Sequence, residues 1–545
     1  MPLEYRLHGP PGTGKTWTLA TSWVPKAAEK FGPHRVVICS LTRSAAKVIA
    51  GRNTGVPKQN IGTLHALCFR ALGSPEIAEG NLADWNKREP TMAVSDERES
   101  STDHPFADKA GASRGDDLMA QAQVFRHRMV PVDQWPQQVA YFQERWQAWL
   151  DETQRVDFTG LIEECLESTD YAPNKPAVFI VDEAQDCSVL ELSLVRKWAE
   201  RANYVVLAGD GDQAIYEWRG ASPKAFTGGD IPTENNYHLT KSHRVPAAVH
   251  KAASKWITLC GERYAVEYTP TDRQGSSRML PNVTSKYPNQ IIEYVNESLK
   301  AGRSAMIIAT CAFVLRPTLR KLRDEGIPFH NPYRTSSPPW NPLRGGADRL
   351  RAYLVNSAEF SDEPRLWTLA EMMRWLEILE AKRTPFQRGA KARVREAIKA
   401  LELERKKDEP IEPWDADRLL GREGYAELQA AFTEGTPLEW FADRCLRSKI
   451  GLIEYGLQVT KKRGMKALSE EPQVIVGTIH SVKGGEADDV FVYPDLSVAG
   501  MKQWLHPGDG RDGTVRTFYV AMTRAKESVS LLGRSSPRAV GWQPL

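Results

Sequence analysis

Residues Gly9 to Thr16 read GPPGTGKT and constrain the fold more than any other stretch. They fit the pattern G-x-x-x-x-G-K-[ST], with Gly9, Gly14, Lys15 and Thr16 in register. Pro10, Pro11, Gly12, Thr13 and Gly14 suit a tight, non-helical loop whose backbone N–H groups turn inward around phosphates. The stretch TWTLATSWV, with Trp17 at its head, reads as the helix whose positive dipole end adds to that pull. Lys15 can then reach the β- and γ-phosphates, and the Thr16 hydroxyl can ligate Mg²⁺. This is the signature of a nucleotide site, and the rest of the chain must supply the reason to hydrolyse the nucleotide.

A chain of 545 residues has room for about three or four domains. Lys and Arg number 72 against 69 Asp and Glu, a net charge of +3, so any nucleic-acid surface must be local. The seven cysteines form no CxxC pair and read as reduced thiols without a metal. The opening MPLEYRLHG lacks a signal h-region and no run approaches 18 apolar residues, so the expectation is a soluble, cytoplasmic protein with no membrane association.

Downstream, RVVICS (35–40) reads as a buried strand, LTRSAAKVIAG as a turn into a helix, and IGTLHALCFRAL as a further helix with Thr63 and His65 near its start. From 81 to 117 the sequence turns polar and poor in aliphatics, which predicts a loop or partly disordered insertion. Residues 121–150 read as helical, with Trp135, Trp146 and Trp149 as core packing. A second chemical stretch follows in AVFIVDEAQD (177–186), an apolar strand ending in carboxylates. Asp182 can hold Mg²⁺ opposite the phosphate loop, and Glu183 can orient and deprotonate a water. YVVLAGDGDQAIYEWRGA (204–221) repeats the form, with Gln213 as a polar tip and Tyr216, Trp218 and Arg219 close behind, either to stack a base and pair a phosphate or to pack in a core.

YHLTKSHR (237–244) brings a strand-like piece and an arginine, and SAMIIAT (304–310) opens a second α/β run. Residues 347–466 are mostly amphipathic helix. Within them 382–407 carries ten Lys or Arg against three Glu, either a solvated face or a duplex contact. The end returns to α/β, with PQVIVGTIHSVKGGEADDVFVYPDL and then FYVAMTRAKESVSLLG, a helix carrying Arg524 into a strand.

The ordered blocks GPPGTGKT, SLTRSAA, IGTLHALC, DFTGLI, VDEAQD, GDGDQAIYEWRGA, LTKSHR, GTIHSVKGGEADD and YVAMTRAK resemble the UvrD/Rep/PcrA-like branch of superfamily 1 DNA helicases, over almost the whole chain. The resemblance implies an α/β fold of two RecA-like P-loop NTPase lobes with parallel sheets, each interrupted by a mainly helical subdomain. Residues 1–80 with 156–235 would form the first lobe and 81–155 its insertion. Residues 236–340 with 467–545 would form the second lobe, and 341–466 its insertion. It also implies ATP and Mg²⁺ in the cleft, with single-stranded DNA stepped 3′→5′ across the tops of both lobes. Position by position, Asp182 completes the metal site with Thr16, Glu183 activates water, and Gln213 senses the γ-phosphate. Arg244 and Arg524 match the family's arginine fingers, His243 its base-stacking aromatic position, and Glu486 its ribose contact. Thr42, Thr63, His65, Thr478 and His480 match positions near the strand, Trp218 the stacking platform, and Tyr216 and Arg219 its neighbours.

Three departures stand out. The family's adenine-reading glutamine would lie upstream of the phosphate loop, where this sequence leaves no room. His243 replaces a larger aromatic, and Leu41 stands where a base-contacting phenylalanine is common. Together they imply weaker discrimination of ATP against other purine triphosphates. The leading expectation is a monomeric, DNA-stimulated ATPase and 3′→5′ helicase or translocase. It would act on single strands and single/double-strand junctions, with a protein loading partner as a further contact. The alternative is a nucleotide-sensing ATPase subunit of a larger repair, replication or defence complex that unwinds little alone. An unrelated P-loop NTPase or kinase is disfavoured by the DQAIYEWRGA block and the late arginine helix.

Overall fold

A computed structural model describes residues 3–40, 54–95, 113–229, 231–334, 340–402 and 409–542. Two six-stranded sheets organise it. The first holds β1 (Leu3–His8), β2 (Val36–Ser40), β3 (Ile61–Gly62), β4 (Val178–Asp182), β5 (Tyr204–Gly209) and β6 (Asn236–His238), in the order β3-β2-β4-β5-β1-β6. The second holds β7 (Ser276–Leu280), β8 (Ala305–Ala309), β9 (Phe329–His330), β10 (Val474–Thr478), β11 (Ala487–Val492) and β12 (Ala525–Leu532), in the order β7-β12-β11-β8-β10-β9. Every pairing is parallel. The residues explain this: VVICS, VFIVD and AMIIA are buried at every position, as strands covered on both faces require. In a sheet of this kind the loops leaving the carboxyl ends of the strands form the binding crevice. In the first sheet those loops follow β1, β4 and β5. The α/β class with two parallel lobes is therefore as expected.

Each lobe carries a helical insertion with its own aromatic core. In the first, helices Leu82–Arg88, Arg114–His127 and Gln137–Thr153 enclose Trp85, Trp135, Phe142, Trp146 and Trp149. It is tied to the lobe by a buried carboxylate. Asp157 accepts from both terminal guanidinium nitrogens of Arg126, at 2.6 and 3.0 Å, and from Trp146 Nε1 at 2.8 Å. Removing Arg126 would strand the buried Asp157 charge, which costs about 3–5 kcal/mol in such pairs. In the second insertion, seven helices among the described residues between Gly346 and Arg463 pack around Tyr353, Trp367, Trp375, Trp440 and Phe441. None of the described helices is long and apolar enough to cross a membrane.

Three expectations need correction. The polar stretch from 81 to 117 is not all loop: among the described residues, Leu82–Arg88 is helical and a further α-helix starts at Arg114. Few aliphatics suffice there because Leu82, Trp85 and Met92 dock on the tryptophan cluster. The helix expected over 121–150 is two helices, separated by a stretch holding Pro131 and Pro136, whose rings cannot continue an α-helix. The second lobe does not begin at 236, since Asn236–His238 pairs with β1 and completes the first sheet. The helix expected in LTRSAAKVIAG, with Leu41 and Thr42, lies outside the described residues.

Candidate functional site

β1 delivers the chain into the phosphate loop. Gly12 and Gly14 adopt φ of +75° and +84°, a left-handed conformation that needs glycine. Gly9 has a different reason: a Cβ there would stand 2.5 Å from Thr13 Oγ1 and 2.8 Å from Lys15 Cγ. The helix begins at Lys15, whose Nζ donates to the Gly9 carbonyl at 2.5 Å and so lies folded over the loop. Trp17 is largely exposed on the first turn. A Cβ on Gly14 would be 3.9 Å from both Trp17 Cβ and His243 Cδ2, so both residues stand beside the loop.

At the carboxyl end of β4, the Asp182 carboxylate accepts from Thr16 Oγ1 at 2.7 Å. Burial, reinforced by the Glu183 charge, pushes the Asp182 carboxyl up to about 6. A fully buried carboxylate beside a hydroxyl is the hard oxygen set that Mg²⁺ takes, with substrate phosphates and waters filling its remaining positions. Glu183 sits at φ +58°. Burial alone would raise its carboxyl, but the charges of Lys15, Lys483 and Arg524 and a hydrogen bond from Gln185 hold it below the usual range. It is therefore an ionised base at neutral pH.

β5 supplies the third loop. Gln213 Nε2 donates to Asp210 Oδ2 at 2.7 Å, and Gln213 Oε1 accepts from Arg524 Nη2 at 3.1 Å. Arg524, between helix Asp509–Met522 and β12, is thus brought across from the second lobe. Burial and the neighbouring Arg244 charge pull its guanidinium down to about 9, still protonated at neutral pH. Arg244 Nε donates to Glu486 Oε2 at 2.8 Å. The lysine near the start of the chain and the arginine near its end therefore face one cleft.

The segment 479–486, between β10 and β11, runs along the lobe junction. Lys483 Nζ pairs with Asp186 and donates to the Gln213 carbonyl at 3.0 Å. Gly485 O accepts from Arg524 Nη1 at 3.3 Å. At the other end, His480 Nε2 lies 3.0 Å from the Ile215 carbonyl. Burial pushes His480 down to about 4, so the ring is neutral and Nε2 carries the proton that the carbonyl accepts. Tyr216, Trp218 and His480 form an aromatic cluster with centroids 5.8–6.2 Å apart. Exposed Arg219 lies 6.0 Å over Trp218. A cavity of about 210 Å³ opens beside Trp218, lined among others by Ile215, Thr310, Ser497 and Gln503.

The other strand-side candidates are placed less openly. Thr63 caps the helix Leu64–Ala71, its Oγ1 accepting from Ala66 N at 3.3 Å, and His65 lies edge-on to Phe158. Thr478 is buried, with its hydroxyl accepting from Ser481 N at 3.2 Å. Sequence reasoning missed Gln185, Asp186 and Lys483, although all three stand inside quoted motifs. It also missed Ser242, Asp210 and Tyr268. Lys483 and Asp186 were findable as opposite charges in otherwise uncharged or acidic turns; nothing in sequence marks Tyr268.

Residues 6–230 match the UvrD/REP helicase N-terminal domain. The first lobe is a UvrD-type helicase domain. The chain is 23% identical to a Bacillus subtilis protein named as the ATP-dependent DNA helicase YjcD, over 95% of this chain and 75% of that protein. It is 26% identical to the ATP-dependent DNA helicase PcrA of Staphylococcus epidermidis and 25% to that of Staphylococcus aureus. Each PcrA match covers 46% of this chain and 37% of the relative, so the chain spans little more than a third of PcrA. The YjcD alignment reaches beyond the domain match and takes in the second lobe as well.

Proposed function

We propose that this protein is an ATP-driven motor on single-stranded DNA, moving 3′→5′ and coupling hydrolysis to duplex unwinding or protein displacement. One observation carries the reading: the groups suited to phosphoryl transfer are divided between two lobes, with Arg524 of the second meeting Gln213 of the first. Division of this kind makes turnover depend on closure, which is what a motor needs.

The phosphate loop and Lys15 hold the triphosphate, while Trp17 and His243 stack its base. Thr16 and Asp182 would hold Mg²⁺, which would neutralise charge on the bound triphosphate. Glu183 orients the attacking water and takes its proton. Arg244 and Arg524 stabilise charge developing on the transferred phosphoryl, a contribution worth roughly 10³–10⁵ in rate for such arginines. On the strand side, Trp218 stacks a base and Arg219 meets a phosphate, with Tyr216 and His480 packed against Trp218. Stacking tolerates any base, as translocation requires.

The test is ATP hydrolysis with and without single-stranded DNA, beside unwinding of 3′- and 5′-tailed duplexes. Strong stimulation and opening of the 3′-tailed substrate are expected, with strand affinity falling as salt rises because phosphate contacts release counterions. Stimulation without unwinding would favour the subunit of a larger complex. Hydrolysis indifferent to DNA would sink the motor.

A further inference from the structure

The turn that carries Arg244 is fastened to the phosphate loop. Ser242 Oγ donates to the Pro11 carbonyl at 3.0 Å, and Tyr268 Oη donates to the same carbonyl at 2.9 Å. The His243 N–H donates to the Gly12 carbonyl at 2.8 Å. Packing is tight as well, since a Cβ on Gly12 would stand 2.6 Å from Arg244 Cβ and 2.7 Å from Ser242 Oγ. The Ser242 hydroxyl also accepts from the N–H groups of Arg244 at 3.3 Å and Val245 at 3.0 Å. One hydroxyl thus shapes the turn and tethers it.

The same ribbon is rooted in both lobes. Just upstream, β6 hydrogen-bonds to β1 of the first sheet. Alongside, Thr269 N donates to Thr240 O at 2.8 Å, Ser242 N to Thr269 O at 2.9 Å, and Thr271 N to Val245 O at 2.9 Å. Residues 269–271 lead directly into β7 of the second sheet. Just downstream, helix Ala247–Ile257 packs on helix Asp509–Met522, with Trp256 Nε1 donating to Val515 O at 2.9 Å. Chain passing between two rigid bodies, hydrogen-bonded to each, is where relative rotation is absorbed.

We infer that this ribbon is the pivot of lobe closure, that the pivot is pinned on the phosphate loop at Pro11 and Gly12, and that Ser242 and Tyr268 are the positioning residues that pin it. The two arginines then differ in role. Arg244 sits on the axis and keeps its station beside the triphosphate in open and closed states alike. Arg524, joined to the first lobe side chain to side chain through Gln213, is the arginine whose approach closure controls. The inference deepens the proposed ATPase and rests on it.

The experiment uses the full chain and measures steady-state ATP hydrolysis with and without single-stranded DNA. It compares wild type, Tyr268→Phe, Ser242→Ala, the double variant and Arg524→Ala, with melting followed by circular dichroism. Tyr268→Phe removes one oxygen and should lower kcat roughly tenfold through misplacement of Arg244, with the ATP KM within about twofold of wild type. The double variant should fall further. In both, basal and DNA-stimulated rates should drop by the same factor, leaving the stimulation ratio intact, whereas Arg524→Ala should lose the ratio itself. If Ser242→Ala fails to fold, Tyr268→Phe carries the test alone. A folded Tyr268→Phe with wild-type rates, or one that loses only the DNA-stimulated rate, overturns the pivot. Wild type that hydrolyses no ATP overturns the ATPase reading and the pivot with it, an outcome distinct from wild-type turnover with unaltered variants.

Discussion

The segment 479–486 meets the first lobe at both ends, and the ends differ in kind. Around Lys483 and Glu486 the contacts are charges: Lys483 on Asp186, Glu486 on Arg244, and Arg524 on Gln213 nearby. Around His480 they are rings, with Tyr216 and Trp218 packed against the imidazole. Asp186 and Arg524 are buried, and buried charges interact steeply with distance, so this end is suited to sense small displacements of the second lobe. Aromatic contacts are shallow and indifferent to base identity, which suits the proposed strand end to hold and release any sequence. A short span of backbone joins the two, and each prediction below treats them as separable in chemistry but linked in motion.

The largest effect is expected from Glu183→Gln. Glutamine keeps the shape but cannot take a proton, and a positioned general base commonly contributes roughly 10²–10⁴-fold. Single-turnover hydrolysis should fall by about that factor, while binding of a fluorescent nucleotide and of single-stranded DNA stays near wild type. Strand affinity lost along with hydrolysis would show that the two ends are not separable. Trp218→Ala probes the opposite end. Losing one stacking platform costs about 1–3 kcal/mol, so strand affinity should fall roughly 5- to 150-fold, far more than DNA-independent hydrolysis changes. Unaltered affinity and unwinding would remove Trp218 from the track.

Local motifs made most of the nucleotide end legible in the sequence. The phosphate loop, Asp182, Glu183 and Gln213 each sit on a short apolar strand followed by a loop, a pattern that carries its own geometry. Arg524 was readable only through resemblance, because more than five hundred residues separate it from Lys15 and no spacing rule spans that distance. The strand end was legible in composition but not in exposure. Thr478 and His480 match strand-side positions, yet both are buried, and His480 spends its Nε2 proton on the Ile215 carbonyl. Tyr268 escaped notice because its partner is a backbone carbonyl, which has no residue signature. The short β6 was assigned to the wrong lobe for a similar reason: three residues cannot announce which sheet edge they will join.

The smallest effect is one of sign. In the folded protein Asp182 titrates near 6, against an ordinary value of 3.8, because burial and Glu183 disfavour its charge. Folded chains therefore hold this proton more tightly than unfolded ones. The stabilisation is complete below about pH 4 and is lost as pH rises through 6. His480 behaves oppositely. Burial takes it from 6.5 down to about 4, so its contribution is present above pH 6.5 and is lost as pH falls through 4. Melting temperatures measured from pH 4 to 7 for wild type, Asp182→Asn and His480→Gln separate the two. Wild type minus Asp182→Asn should slope downward with pH, and wild type minus His480→Gln upward. Mg²⁺–nucleotide should flatten the first curve and leave the second alone, since a bound cation offsets the cost of the Asp182 charge. Slopes of the same sign would mean that one electrostatic environment spans the whole junction, and the contrast between its ends would go.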